Sequence, residues 1–525
     1  MMNNLSFTKK DYDLVILNSR VMDVETNFDE VRNVGIKDGK IAVITDKEIT
    51  GKETIDAKGH VVTAGFIDTH FHWTRPMGYK IGLRDGVTTA MDLEFGTLGT
   101  YVDQWYKERK GETQVNYGTA SSQELARSLV LDGAEAHDAP EAQKSRGAGM
   151  NWANKKPNLD EANKILKIID QGVCDGAIGI GSTVGYMRDG ITAREMFETQ
   201  KVAANYGRQT SVHLRYTPGN STTEVNGAQE VLANALALGA PVCILHFNNP
   251  GWDVVQELLV RLQGRGYNIW GEIYPYAAGS TTINAVFLKP EMWIDRLGHK
   301  YEDTMMDPVT NTFYTREKYE EVLKKDPATI VIVYKMPEKD IVKWLSLRGV
   351  TMASDGMPIP GDFAWDTPYE KLPNMHPRGA GSRGKSLRLG RENNIPLMQT
   401  LAQLSYDSAK HLGDMGLESM KVRGRMQEGM VADITIFDPE KVTDNASYQK
   451  GTLPTTGIPY VIVDGVAVVK DSKVLKDVYP GQPIRFRPEE KRRFKPLKVK
   501  DWKEQYMVSP VEFGGLDVLS PKMQK

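Results

Sequence analysis

Val61-Val62-Thr63-Ala64-Gly65-Phe66-Ile67-Asp68-Thr69-His70-Phe71-His72 is the stretch on which the reading of this chain turns. An apolar, strand-forming run ends in two histidines one residue apart, and in a strand that spacing turns both imidazoles to the same face. Two neutral imidazoles converging on one point suit a metal ion, although in a chain with nine histidines the pair alone is weak evidence. Three further strand-like runs end in a residue of the same kind. These are Gln209-Thr210-Ser211-Val212-His213, Pro241-Val242-Cys243-Ile244-Leu245-His246 and Gly349-Val350-Thr351-Met352-Ala353-Ser354-Asp355. Ligands gathered at the C-terminal ends of parallel strands are how a (β/α)8 barrel builds its site.

Outward from that stretch the pattern divides. Between about Val61 and Gly424, apolar strands alternate with amphipathic helices, the signature of parallel β/α units. Helices are expected at Leu159 to Gln171, Ala193 to Tyr206, Ala228 to Leu238, Val254 to Gln263 and Leu397 to Leu412. Strands after Phe66-Ile67 are expected at Val87 to Leu93, Val115 to Ala120, Ala177 to Gly181, Ser211 to Leu214, Val242 to Phe247, Asn268 to Tyr274 and Val350 to Ser354, which completes a count of eight. On either side lie short strands joined by Asp-Gly pairs, Asp38-Gly39 near one end and Asp464-Gly465 near the other, each a signal for a tight hairpin. The expected fold is therefore an α/β TIM-like (β/α)8 barrel with a small β-sandwich assembled from both termini. The sandwich takes 1–60 and 425–484, the barrel 61–424, and a basic tail 485–525. Residues 285–343, rich in Lys, Glu, Asp, Met and aromatics, interrupt the rhythm as a lid or a surface elaboration.

Composition narrows the functional class. A net charge of -2 gives no global pull toward nucleic acid or an anionic membrane, and the basic run Lys491 to Lys500 reads as an arm lying on its own or a neighbouring subunit. Mean hydropathy is -0.42, and no apolar run approaches the roughly 20 residues that span a bilayer. The first residues lack a basic region followed by an apolar core, so a cytoplasmic protein without a secretory signal is expected. Only Cys174 and Cys243 are present, both in apolar runs, which excludes a disulfide framework. The expected partner is a small-molecule substrate, with no nucleic acid and no membrane; a homo-oligomer is left open.

His70, His72, His213, His246 and Asp355 match the needs of a hydrolytic metal site: nitrogen ligands that leave positions open for water, and a carboxylate to shuttle a proton. Metal coordination lowers the pKa of bound water from about 16 to near 7. Asp355 could also be turn chemistry in Ser354-Asp355-Gly356, but the strand before it, in register with the others, favours the catalytic reading.

The segments Gly65 to His72, Gly86-Val87-Thr88-Thr89, Tyr274-Pro275-Tyr276-Ala277-Ala278-Gly279-Ser280-Thr281, Ala353 to Gly356, His376-Pro377-Arg378-Gly379, Gly429 to Asp433 and Gly457 to Gly465 resemble the amidohydrolase superfamily, and within it the D-aminoacylase (N-acyl-D-amino-acid deacylase) family. The resemblance runs from Tyr12 to about Pro483. It implies zinc, as one or two ions or another divalent metal, and hydrolysis of a linear amide. By position it makes His70 and His72 the first-strand ligands, His213 and His246 those ending the fifth and sixth strands, and Asp355 the catalytic acid/base and a metal ligand.

The chain departs from that family at two places. Where the family places a metal-binding cysteine after the second strand, this chain has Asp92-Leu93-Glu94-Phe95-Gly96, and the fourth strand, Ala177 to Thr183, holds no lysine to substitute. Glu94 is the expected replacement ligand, with Asp92 the runner-up, since a one-residue slip reverses which side chain faces inward. Asn248 stands where the family usually has lysine. Arg378, with Tyr274 nearby, is expected to bind a substrate carboxylate, and Asn248 to weaken binding of a second one. The expected activity is deacylation of an N-acyl (D-)amino acid or related small carboxylate. The alternatives are a cyclic-amide hydrolase or deaminase on the same barrel, or a catalytically silent barrel used for binding or assembly.

Overall fold

Eight short parallel strands, buried on both faces, form the centre of the computed structural model, which describes residues 12–145, 150–216 and 227–507. They are β1 (Phe66–Asp68), β2 (Val87–Thr97), β3 (Asn116–Ser122), β4 (Gly179–Ser182), β5 (Gln209–Val212), β6 (Val242–Ile244), β7 (Ile269–Ile273) and β8 (Val350–Met352). Each pairs with its neighbour in chain order, as right-handed β/α units require. Full burial explains why β1, β6, β7 and β8 show no apolar-polar alternation.

The ring is drawn shut between β8 and β1. Phe71 bridges to Gly356, with His72 N donating to Gly356 O at 3.0 Å. Beneath that bridge, Asp68 Oδ1 accepts from Ser354 N at 3.1 Å, and Oδ2 accepts from Arg383 Nη1 at 2.8 Å. Both side chains of the Asp68–Arg383 pair are buried. The seam therefore lies directly under the two histidines of the first strand.

Strands that flank the barrel in sequence on both sides share a nine-stranded sheet, in which Val61–Ala64 pairs antiparallel with Ile434–Phe437. The two Asp-Gly hairpins form as expected. Asp38 and Gly39 have φ of 51° and 74°, and Asp464 and Gly465 have φ of 49° and 81°, the left-handed pair that a two-residue turn of this kind needs. The two turns also touch: a Cβ on Gly465 would stand 2.7 Å from the Gly39 Cα, so glycine is required there for close approach as well. An apolar cluster that includes Ile16, Val34, Ile36, Val62, Ile434 and Ile462 fills this sheet.

Two features differ from the sequence reading, and a third takes one of the two places expected for it. The segment expected as one helix from Leu397 to Leu412 is Leu397–Leu401, a wide π turn Ala402–Tyr406, and Asp407–Asp414; within it Ser405 Oγ donates to Gly65 O at 2.7 Å. The interrupting segment contains an antiparallel sheet in the order Ala278–Thr282, Ile330–Tyr334, Met305–Asp307, Thr312–Phe313. It begins before residue 285 because Ala278-Gly279-Ser280-Thr281-Thr282 is too small and polar to give a strand signal. The basic run lies on the chain's own helices: Phe494 N donates to Asp170 Oδ1 at 2.9 Å and Leu497 N to Asn163 Oδ1 at 2.7 Å. Among the described residues no helix is long and apolar enough to cross a membrane.

The seam is open to test. Replacing Arg383 by Met leaves the buried Asp68 carboxylate without its cation and should cost about 3–5 kcal/mol in urea unfolding. A loss below about 1 kcal/mol would mean that the ring does not depend on this pair.

Candidate metal centre

Glu94 reaches the barrel axis because β2 is distorted where it ends. The pairing of β2 with β3 slips between Asp92 and Thr97, and Asp92 Oδ1 holds the extra residues by accepting from Phe95 N at 3.0 Å and Gly96 N at 3.1 Å. Such bulges re-aim a side chain beside an active site. β4, one strand further on, accommodates it with a glycine: a Cβ on Gly181 would lie 2.1 Å from the Glu94 carbonyl oxygen.

The carboxylate of Glu94 then faces two pairs of histidines at once. Its Oε2 is 3.1 Å from His70 Nε2 and 3.2 Å from His72 Nε2, while Oε1 is 3.0 Å from His213 Nδ1 and 3.1 Å from His246 Nε2. Asp355 Oδ1 lies 3.3 Å from both His70 Nε2 and His72 Nε2. The result is two groups that share Glu94, one of His70, His72, Glu94 and Asp355 and one of Glu94, His213 and His246, with the ligand atoms of each group within 4.8 Å of one another. All expected ligands are thus brought together. Asp92 is not among the converging atoms; its Oδ2 stands behind His72, 3.0 Å from Nδ1.

The donor chemistry fits a metal. Carboxylates accept only, so His70 Nδ1, against Glu272, and His72 Nδ1, against Asp92, carry protons, and both Nε2 atoms point inward. Glu272 is itself held by Thr69 Oγ1 at 2.9 Å. Imidazole nitrogens only 3.0 Å apart in the pair His70–His72, and 2.8 Å apart in the pair His213–His246, are arrangements that a cation between them resolves. Nitrogen and carboxylate oxygen suit zinc, with less selectivity than a thiolate would confer.

The electrostatics follow from burial and charge. Burial disfavours the charged form of His70 and His72, but the carboxylates around them outweigh it and hold both well above the ordinary imidazole range. His213 goes the other way: burial and the adjacent His246 lower it to about 4, leaving a neutral ligand. Burial would raise Asp355, yet Arg378 and His70 outweigh it and keep the carboxyl below the usual carboxylate range. His246 and Asp355 have φ of 63° and 53°, backbone that few residues other than glycine adopt, and this turns each side chain inward at a strand end.

The remaining expected residues divide. Arg378 lines the same cavity, but its Nη1 is 2.8 Å from Asp355 Oδ2 and its Nη2 donates to Ser280 O at 3.2 Å. Tyr274 lies with its ring 4.8 Å from the Arg378 guanidinium carbon. Asn248 does not line the cavity; it is fully buried and its amide donates to Tyr274 O at 3.0 Å, so it braces the turn after β7. Sequence reasoning missed Glu272 and Lys335. Glu272 had a signal, a lone carboxylate inside the apolar β7; Lys335, which follows the strand Ile330–Tyr334 and lines the cavity, had none.

A parallel eight-stranded barrel thus gathers imidazoles and carboxylates at its strand ends into a centre that can hold a divalent metal. No protein-family model matches the chain. Among curated proteins it is similar to D-aminoacylase of Alcaligenes xylosoxydans xylosoxydans, 24% identical over 87% of this chain and 94% of that one. It is similar also to N-acyl-D-glutamate deacylase of the same organism, 25% identical over 91% of this chain and 95% of the relative. Among solved structures, a D-aminoacylase crystal structure matches with a TM-score of 0.72 at 20% identity, covering 91% of this chain and all of that one. The N-acyl-D-glutamate deacylase of Bordetella bronchiseptica, solved with zinc and a phosphonate inhibitor, matches with a TM-score of 0.71 at 21% identity and the same coverage. The chain therefore resembles the D-aminoacylase family along most of its length and shares its fold.

Two measurements follow. Glu94→Ala should strip metal from freshly purified protein, read by elemental analysis, because both groups lose their common member; full metal content would remove Glu94 from the ligand set. Glu272→Gln, which leaves the ligands in place but weakens the hold on His70, should lower zinc affinity about 10- to 100-fold in chelator competition.

Proposed function

We propose that the chain is a zinc-dependent deacylase that hydrolyses the linear amide bond of an N-acyl-D-amino acid or a closely related small carboxylate. The observation that carries the reading is the position of Asp355, whose two oxygens divide between the histidine pair of β1 and Arg378. In this reading His70, His72, Glu94, His213, His246 and Asp355 hold the metal. A bound zinc supplies Lewis acidity toward the scissile carbonyl and a hydroxide-level nucleophile at neutral pH.

The chain's own residues do the rest. Asp355, ionised in the resting site, accepts the proton of the attacking water at Oδ1 and returns it to the departing nitrogen. Arg378 orients Asp355 through Oδ2 and presents its remaining edge to the substrate carboxylate, with Tyr274 stacked beneath it. Phe95, Ala139, Ala142, Tyr186, Phe287 and Val333 give the cavity an apolar side, which suits an acyl chain or an apolar amino-acid side chain and helps exclude water. The wide similarity to two deacylases supports the linear amide over a cyclic one.

A screen of N-acyl-D- and N-acyl-L-amino acids against cyclic imides and ureas, run on protein of measured zinc content, tests the reading. Hydrolysis of the N-acyl-D series is expected, and opening of rings alone would contradict it. Asp355→Asn should cost about 10² to 10⁴ in turnover, and turnover within about threefold of the parent would move proton transfer elsewhere. Arg378→Lys keeps the charge but loses the paired geometry, so it should raise KM for carboxylates more than for the corresponding amides.

A further inference from the structure

One side of the cavity is formed where polar side chains close on a glycine. A Cβ on Gly279 would stand 3.3 Å from the Tyr274 hydroxyl and 3.7 Å from Lys335 Cε, so the bare backbone lets both side chains reach this wall. Ser280 Oγ and Arg378 Nε are buried and have no hydrogen-bond partner, and both residues line the cavity. Buried donors left unmade cost free energy, so two of them on residues that line one cavity call for an acceptor. Lys335, on the same wall, has no ion-pair partner among the described residues. It is held in place from its backbone, where Lys335 N and Met336 N both donate to Ala277 O, at 3.4 Å and 3.0 Å.

Charge leads to the same conclusion. Arg378 and Lys335 bring two cations to this end of the cavity, and among the described residues Asp355 is the carboxylate that acts on both. Asn248 adds no charge and lies outside the cavity. One further anion balances the pair.

We propose that Lys335, carried by the inserted sheet rather than by a barrel strand, is the second cation of the substrate-carboxylate site, acting with Arg378 Nε and Ser280 Oγ. This rests on the deacylase reading and adds to it the residue that selects a substrate with a single free carboxylate. Burial and the neighbouring Arg378 lower the Lys335 ammonium to about 8 while Asp355 works the other way, so it still carries its charge at neutral pH. Because Lys335 ends the strand Ile330–Tyr334, which pairs with Ala278–Thr282, carboxylate binding ties the inserted sheet to the barrel mouth. Two cations against Asp355 and one substrate carboxylate leave no counter-charge for a second carboxylate at this end.

The test compares N-acetyl-D-leucine with N-acetyl-D-leucinamide as substrates of the zinc-loaded parent, Lys335→Met and Lys335→Arg. Lys335→Met should raise KM for the acid about tenfold or more, the worth of one charged hydrogen bond, while kcat stays within about threefold. KM for the amide should be unchanged, and Lys335→Arg should recover most of the affinity for the acid. If the parent hydrolyses N-acetyl-D-leucine but Lys335→Met leaves its KM unchanged, or raises acid and amide alike, Lys335 does not bind the carboxylate while the deacylase reading stands. If the parent hydrolyses no N-acyl amino acid, the deacylase reading falls and this inference falls with it.

Discussion

Two oxygens of one carboxylate set the geometry of this protein's centre. Glu94 faces His70 and His72 with one oxygen and His213 and His246 with the other, so residues from β1, β5 and β6 are brought into register by a side chain from β2. The slipped pairing at the end of β2, the turn held by Asp92 and the bare backbone of Gly181 all serve that placement. The long Glu94 side chain reaches the centre from a backbone displaced by the bulge.

Around that centre the structure separates rigidity from strain. The seam beneath it, Asp68 with Arg383 and Ser354, is buried and fully paired through Asp68, and it fixes where the first and last strands meet. Above the seam, His246 and Asp355 stand in backbone conformations that only a surrounding scaffold can impose on residues with a side chain. Glu272 and Asp92 then fix the orientation of the imidazoles from behind.

Much of this was legible in the sequence, for reasons that can be named. Local signals were strongest: the Asp-Gly turns formed because two consecutive left-handed residues are tolerated there, and the barrel strands were visible because burial on both faces enforces unbroken apolar runs. His70, His72, His213, His246 and Asp355 were visible because each follows such a run. What could not be read depends on contacts distant in sequence. The Asp68–Arg383 pair spans most of the barrel, and Lys335 arrives at the cavity only because the strand Ile330–Tyr334 pairs with the strand Ala278–Thr282, a weak strand by composition. The π turn at Ala402–Tyr406 is likewise set by tertiary packing, not by the helical pattern of Leu397 to Leu412. The place of the basic run on the helix Leu159–Cys174 is fixed by backbone donors meeting Asp170 and Asn163, which no charge pattern reveals.

The central claim is that Glu94 joins the two histidine pairs into one metal centre. An anomalous difference map from crystals of the zinc-loaded protein, collected at the zinc edge, tests it most directly. The account predicts density at bonding distance, about 2.0–2.2 Å, from a Glu94 carboxylate oxygen and from the converging histidine nitrogens. Zinc bound with the Glu94 carboxylate turned out of reach, or no zinc among these residues, would contradict it.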